Sequence, residues 1–583
     1  MKLFYVLGAV CCVVCGFHSA AWALDREAFT IAKYDLQITL EPAQQRLGAR
    51  GKITVRNDSA QPQRVLALQI SSSLNWRSIR VDGKPVQFVS QPYTSDIDHT
   101  GALSEAIVTL PAEIKPKDSV ELEIGYEGII PLDTTRLTRI GVPDEIAKHS
   151  SWDRISPSFT AVRGAGYVAW YPITTESADF SEGNSLFEVA DRWKAREAGS
   201  EFKAAVGLHD EDSEAPTVLC GANAGFLETG PNWSAVALCD DKRLGAGTPT
   251  FVVAKYQHQP KPPLYLFSLP RHEAGAATYS SAFDPAMKFV TGWFGPPKAP
   301  IAIADIADPN SAPFESGTLL MASLAAEDSK LAGSNLAHEL VHSALPSSRP
   351  WVYEGLAHFA EAMYRQEQGG REAALDLLGQ HRAAFLDSER EVSAALQKNV
   401  GQKNTGEKSI GQPLIITFDE TYYRSKAAYV WWMLRDMIGD DALKQAIGKY
   451  RAEEDNDKDP KYVEHLIESA AKRDLGWFFD DWVYRDRGLP DFRVQSVHPW
   501  TTEKGVRFIT VTLENLGDAG AEVPFTIFFE GGVITKRIEV LARRTATTRV
   551  ELTGTASQIV VNDGSVPESD LTNNEFQISA PQK

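Results

Sequence analysis

The chain has 583 residues, 43% hydrophobic and 23% charged, and at roughly 150 residues per domain it holds about three or four domains. That composition excludes a disordered, collagen-like or repetitive protein. Acidic residues outnumber basic ones by 77 to 59, a formal charge of −18. A general nucleic-acid binder needs the opposite sign to neutralise phosphates, so no nucleic-acid partner is expected.

Residues 1–23 read as a signal peptide. Lys2 gives a positive start, Leu3 to Phe17 carry no charge, and Ala21-Trp22-Ala23 offers small residues for cleavage. The alternative is an uncleaved N-terminal anchor. No later stretch reaches the roughly 18 apolar residues that a membrane helix needs, so no transmembrane segment is expected in the mature chain. The expected location is exported, periplasmic or extracellular. Cys220 and Cys239 are then the cysteines that remain. In an exported chain they form one disulfide bond, with two free buried thiols as the other option.

Residues 24–270 alternate as strands do. Tyr34, Leu36, Ile38 and Leu40 point one way, and Ile53, Val55 and Val65 to Ile70 continue the pattern with Gly, Pro and Asn breaks. This predicts an antiparallel β domain. Residues 271–490 change character. Helical stretches are expected at 284–294, 331–344, 351–368, 371–398, 425–438, 440–451 and 462–471, with one strand-like run at 299–306. Residues 491–583 return to short strands about ten residues apart, which fits a C-terminal β-sandwich. The acidic run 453–459 lacks the ligand spacing of a calcium loop and reads as a solvated connection.

The segment His338-Glu339-Leu340-Val341-His342 lies in a helical pattern. Residues i and i+4 share a helix face, so both imidazoles can reach one ion. Glu339 is about 100° round from His338, beside such an ion and not on it, where its carboxylate can accept a proton from water. Zinc takes imidazole nitrogen and carboxylate oxygen in tetrahedral geometry, and one Zn2+ is the expected cofactor. A third ligand is needed. After Pro346-Ser347-Ser348-Arg349-Pro350 a second helix begins, with Glu354 in its first turn. Glu354 is the favoured third ligand and His358 its rival. Glu361 lies on the same face, placed to hydrogen-bond a ligand histidine.

His338-Glu339-x-x-His342 followed by Glu354-Gly355-Leu356-Ala357 resembles the gluzincin metallopeptidases of the aminopeptidase N and leukotriene A4 hydrolase type. Tyr422-Tyr423-Arg424-Ser425-Lys426-Ala427 is similar to the family's Tyr-x-Lys-Gly-Ala helix start. Over roughly 280–490 the resemblance implies a thermolysin-like, mainly helical catalytic domain within a multidomain α+β protein. It also implies a peptide or protein substrate, and a tyrosine that stabilises the transition state. Tyr423 is favoured for that role and Tyr422 stays open, because the spacing to Lys426 is offset by one residue. The loop between His342 and Glu354 is shorter than the family's. The signature that holds a substrate's amino terminus is absent, and Glu315 is its nearest substitute. The stretch 566–574 is similar to bacterial Ig-like modules. Zinc-dependent hydrolysis of a non-peptide substrate and an idle zinc-stabilised scaffold are the alternative readings. Oligomeric state and side-chain preference are not written in the sequence.

Overall fold

The structure, a computed structural model, describes residues 24–175, 178, 193–208, 216–220, 235–245, 247–325, 328–398, 413–452 and 459–578, without the side chains of residues 384 and 387–398. Residues 1–23, read above as a signal peptide, and the acidic residues 453–458 lie outside the described residues.

Strand Phe29–Glu41 shows how alternation builds the N-terminal β region. Phe29 and Ile31 are buried, and then Tyr34, Leu36, Ile38 and Leu40. The parity changes at a register shift between Ile31 and Lys33. A bulge of that kind keeps apolar residues on the core face when one residue is inserted. The strand lies inside a seven-stranded sheet, antiparallel to Arg46–Asn57 and parallel to Glu201–Leu208. The parallel pairing departs from the expected antiparallel domain. A long crossover connects the two strands, so the chain can return in the same direction. A second sheet, Gln63–Ser71, Ala102–Ile114 and Phe88–Thr94, shares the same apolar core. Cys220 and Cys239 form the disulfide bond, with Cα atoms 5.3 Å apart. It joins strand Thr217–Cys220 of a small three-stranded sheet to Ala235–Asp241 at the edge of the large one.

The next sheet has five strands in the order Gln257–Lys261, Leu264–Ser268, Ile301–Asp305, Leu319–Ala322 and Phe314–Ser316. Only Ile301–Asp305 is legible as a lone strand in the helical region. The first two strands fall in the stretch read as N-terminal, yet Leu264–Ser268 pairs parallel with Ile301–Asp305. The last two have three and four residues, too few for periodicity to declare itself. Ile301–Asp305 is buried at every position, as a central parallel strand covered on both faces must be.

Helices Glu273–Phe294 and Ser329–Ala344 pack on this sheet, and Pro350–Lys398 packs on Ser329–Ala344. The third is broken at Gly370, φ 80° and ψ 179°, where the sequence reading separates 351–368 from 371–398. The C-terminal residues form two antiparallel sheets of three and four strands, from Phe492–Thr501 to Glu575–Gln577. Their inner side chains, including Val511, Leu513, Val523 and Ile559, belong to the same apolar cluster as the helices. The Trp482 indole donates to the Gly520 carbonyl at 2.8 Å across that junction. Among the described residues no helix is long and apolar enough to cross a membrane.

Candidate metal centre

Helix Ser329–Ala344 starts at Asp328, whose carboxylate accepts from the Lys330 and Leu331 amides at 2.9 and 3.0 Å. Such a cap satisfies donors that the first turn leaves unpaired. The apolar face, Ala332, Leu336, Ala337 and Leu340, is buried, and it buries His338, Glu339 and His342 with it. Gly333 permits a close crossing. A Cβ there would lie 2.7 Å from the Tyr364 ring of the next helix. Gly355 does the same beside Glu354, since its Cβ would meet the Ala427 Cβ at 2.6 Å. These contacts seat three segments around one point: the motif helix, the helix carrying Glu354, and the turn Thr421–Lys426.

The two imidazoles face each other, Nε2 to Nε2, at 2.9 Å. Glu354 places Oε2 3.8 Å from His338 Nε2 and Oε1 3.8 Å from His342 Nε2. An ion about 2.0–2.2 Å from each donor spans at most roughly 4.4 Å between them, so these separations suit zinc. The other ring nitrogen of His338 donates to Glu361 Oε1 at 2.5 Å, leaving Nε2 turned toward His342. Neither oxygen of the buried Glu339 carboxylate has a hydrogen-bond partner, and Glu354 Oε2 has none either. A buried Glu354 carboxylate that faces both imidazole nitrogens, one of its oxygens without a hydrogen bond, is what a cation would satisfy. The residues present therefore fit zinc.

Glu315 also reaches this point, with Oε2 2.8 Å from His338 Nε2. Glu315, His338, His342 and Glu354 form one group of four potential donors. Glu315 comes from edge strand Phe314–Ser316, which turns through Gly317, at φ +64°, to pair with Leu319–Ala322. His358 does not join this group. Its Nδ1 stands 3.1 Å from Glu361 Oε1, and its ring is followed by His381 at 4.9 Å between centroids. Tyr353 stacks on His342 at 3.9 Å.

Thr421–Lys426 is a π-helical turn. Its i→i+5 pattern takes one extra residue per turn, and the one-residue offset of Tyr423 from Lys426 falls there. Tyr423 lines a cavity of about 580 Å³ together with Glu315, Tyr353, Glu354 and Arg424. Tyr422 is fully buried against Phe385 and Lys426 and lines neither site cavity. His338 and Glu339 line an adjoining cavity of about 220 Å³, walled by Tyr167 of the N-terminal region. Glu315, Glu420 and Arg424 border both cavities.

Sequence reading missed three participants. Arg424 Nη2 lies 2.6 Å from Glu315 Oε1 and its Nε 3.6 Å from Glu354 Oε2. Glu420 pairs with Lys194 at 3.4 Å. His381 Nδ1 stands 3.1 Å from the Ser425 hydroxyl. A charged residue in a helix ordinarily reads as solvated, and no spacing rule links His381 to a motif more than 35 residues upstream.

Charges in the site depend on one another. Burial disfavours the charged ring of His338, but Glu315 and Glu361 outweigh it and hold its pKa well above the usual histidine value. Burial, then the His338 charge, holds His342 well below it. Burial, reinforced by Glu315, raises Glu339 well above the carboxylate range and pushes Glu354 up to about 8. His338 and Glu354 thus carry protons that a cation must displace. Zinc affinity is therefore expected to rise with pH through neutrality, by up to about tenfold per unit for each proton displaced. Competition titrations against a chelator at several pH values check this, and affinity independent of pH between about 6 and 8 would count against it.

No protein-family profile matches the chain, and no curated protein matches its sequence. Solved structures do match. An M1 zinc metallopeptidase from Deinococcus radiodurans aligns at 14% identity over 79% of this chain and 94% of that one, with a TM-score of 0.46. A mutant of that enzyme bound to a Tyr-Ser-Ala substrate aligns at 14% identity over 80% and 96%, with a TM-score of 0.47. Legionella pneumophila aminopeptidase A, in complex with aspartic acid, aligns at 12% identity over 93% of this chain, with a TM-score of 0.56. This last likeness shows the fold: the chain is built as that enzyme is. It spans 59% of that enzyme's length.

Proposed function

We propose that the chain is an exported zinc-dependent peptidase. The observation that carries this reading is the convergence of His338, His342 and Glu354 donors with the unpartnered carboxylate of Glu339 beside them. The aminopeptidase of the same fold adds support, and the Cys220–Cys239 bond fits an oxidising compartment.

In this reading His338, His342 and Glu354 hold one zinc ion, and Glu361 fixes the His338 ring so that Nε2 faces it. Zinc, when bound, supplies a Lewis acid that acidifies water and polarises the scissile carbonyl. Glu339 accepts the proton of the attacking water and returns it to the leaving amine. Burial raises its affinity for a proton, and the charge of a cation bound beside it would keep it ionised until it takes the proton of water. Tyr423 donates its hydroxyl hydrogen bond to the developing oxyanion. Replacing it by phenylalanine is expected to lower kcat by about 10²–10³-fold with little change in KM. A KM that rises while kcat holds would make Tyr423 a binding residue.

The test of the reading is a mixed peptide library incubated with zinc-loaded protein, its products read by mass spectrometry. Discrete cleavage that stops on chelation and returns with zinc is expected. Intact peptides beside hydrolysed ester or epoxide substrates would favour a non-peptide hydrolase. One observation favours a second reading. With Glu315 as a fourth protein donor the site would be closed, as structural zinc sites are, and the ion would stabilise a binding scaffold.

A further inference from the structure

A peptide bond adjoining a free amino terminus brings an ammonium to the reaction centre, because that nitrogen is two bonds from the scissile carbonyl carbon. The separation is about 2.5 Å, so the ammonium needs a carboxylate close to the metal-facing nitrogens. Burying it without one is costly. Three carboxylates qualify by position. In the peptidase reading Glu354 binds the ion and Glu339 takes a proton, which leaves Glu315, 2.8 Å from His338 Nε2. Glu315 is not free. Its other oxygen is 2.6 Å from the Arg424 guanidinium, and Arg424 lines both cavities at the point where they join. The next carboxylate along the wall, Glu420, is paired with Lys194. Asp240 and Asp241 line only the larger cavity.

We propose that Arg424 is a specificity residue: by pairing with Glu315 it denies an N-terminal ammonium its partner. Bonds in blocked or internal peptide segments are then accepted as readily as bonds beside a free amino terminus. This rests on the peptidase reading, but its test does not depend on turnover. The probes are leucine amide and N-acetyl-leucine amide, titrated calorimetrically into the zinc-loaded full chain. Wild type is expected to bind them within about threefold of each other. Arg424→Gln exposes Glu315 and shifts the ratio about tenfold toward the free amine, and adding Glu315→Gln removes that gain. Arg424→Lys, which keeps the charge, keeps the wild-type ratio.

A wild-type preference for the free amine above about tenfold, lost in Glu315→Gln, overturns the proposal. So does an unchanged ratio in folded Arg424→Gln, or the absence of binding by every variant. Should Arg424→Gln fail to fold, Glu315→Gln alone decides, because a carboxylate already paired contributes nothing to the ratio. Paired cleavage of free and acetylated peptides separates the two claims. Zinc-loaded wild type that cuts neither peptide contradicts the peptidase reading, while the binding ratio still decides the role of Arg424.

Discussion

Glu339→Gln is expected to lower peptide turnover by about 10³- to 10⁴-fold, near the upper end of what a positioned general base supplies. The amide is isosteric but cannot accept a proton from water. Because neither Glu339 oxygen is hydrogen-bonded in the protein, the substitution breaks no partner contact, and the fold is expected to survive it. Glu339 is also outside the group of four donors around His338, so zinc content is expected to stay at the wild-type level. Turnover within a few-fold of wild type, with zinc retained, would mean that another group takes the proton.

His342→Ala is expected to abolish zinc retention through purification. The substitution removes one of two imidazole nitrogens that stand 2.9 Å apart, and the remaining donors cannot complete a tetrahedral set without recruiting Glu315. Glu361→Gln provides the comparison. Glu361 reaches the far nitrogen of His338, not the nitrogen that faces His342, and also pairs with His358, and loss of such an outer partner typically costs about 10–100-fold in metal affinity. The ordering His342→Ala far worse than Glu361→Gln is the expected result of metal titrations on both variants. Equal losses would indicate that Glu361 belongs to the coordination sphere, and full zinc in His342→Ala would remove this histidine from the site.

What the sequence revealed and what it hid follow from the range over which each feature is encoded. His338 and His342 meet because four residues make roughly one helical turn, a local rule that spacing displays. Glu354 and Glu361 sit seven residues apart on a second helix and are read by the same rule. The disulfide between Cys220 and Cys239 is read from the expected export and from the count of cysteines left after residue 23. Glu315 is different. Its place depends on a three-residue edge strand whose register is set by Leu319–Ala322 and by the glycine turn at Gly317. Nothing in the local pattern of Pro313 to Leu320 announces that this strand passes over the motif helix. Arg424 was visible as a letter but not as a partner, because only the close approach allowed by Gly355 brings its turn beside Glu354. The parallel pairing of Phe29–Glu41 with Glu201–Leu208 is likewise long-range, joining segments some 160 residues apart in sequence. Alternation marks a strand but not its neighbour.

The most direct test of the proposed centre is a crystal structure of the zinc-loaded protein with anomalous scattering recorded at the zinc edge. The predicted result is one ion per chain, about 2.0–2.1 Å from His338 Nε2 and His342 Nε2 and about 2.0–2.2 Å from a Glu354 oxygen. The Glu339 carboxylate should lie beside the ion without binding it, and one position should remain free of protein donors. An ion absent from this point contradicts the assignment of the donors. An ion closed by Glu315 as a fourth protein ligand contradicts the catalytic role and leaves a structural one.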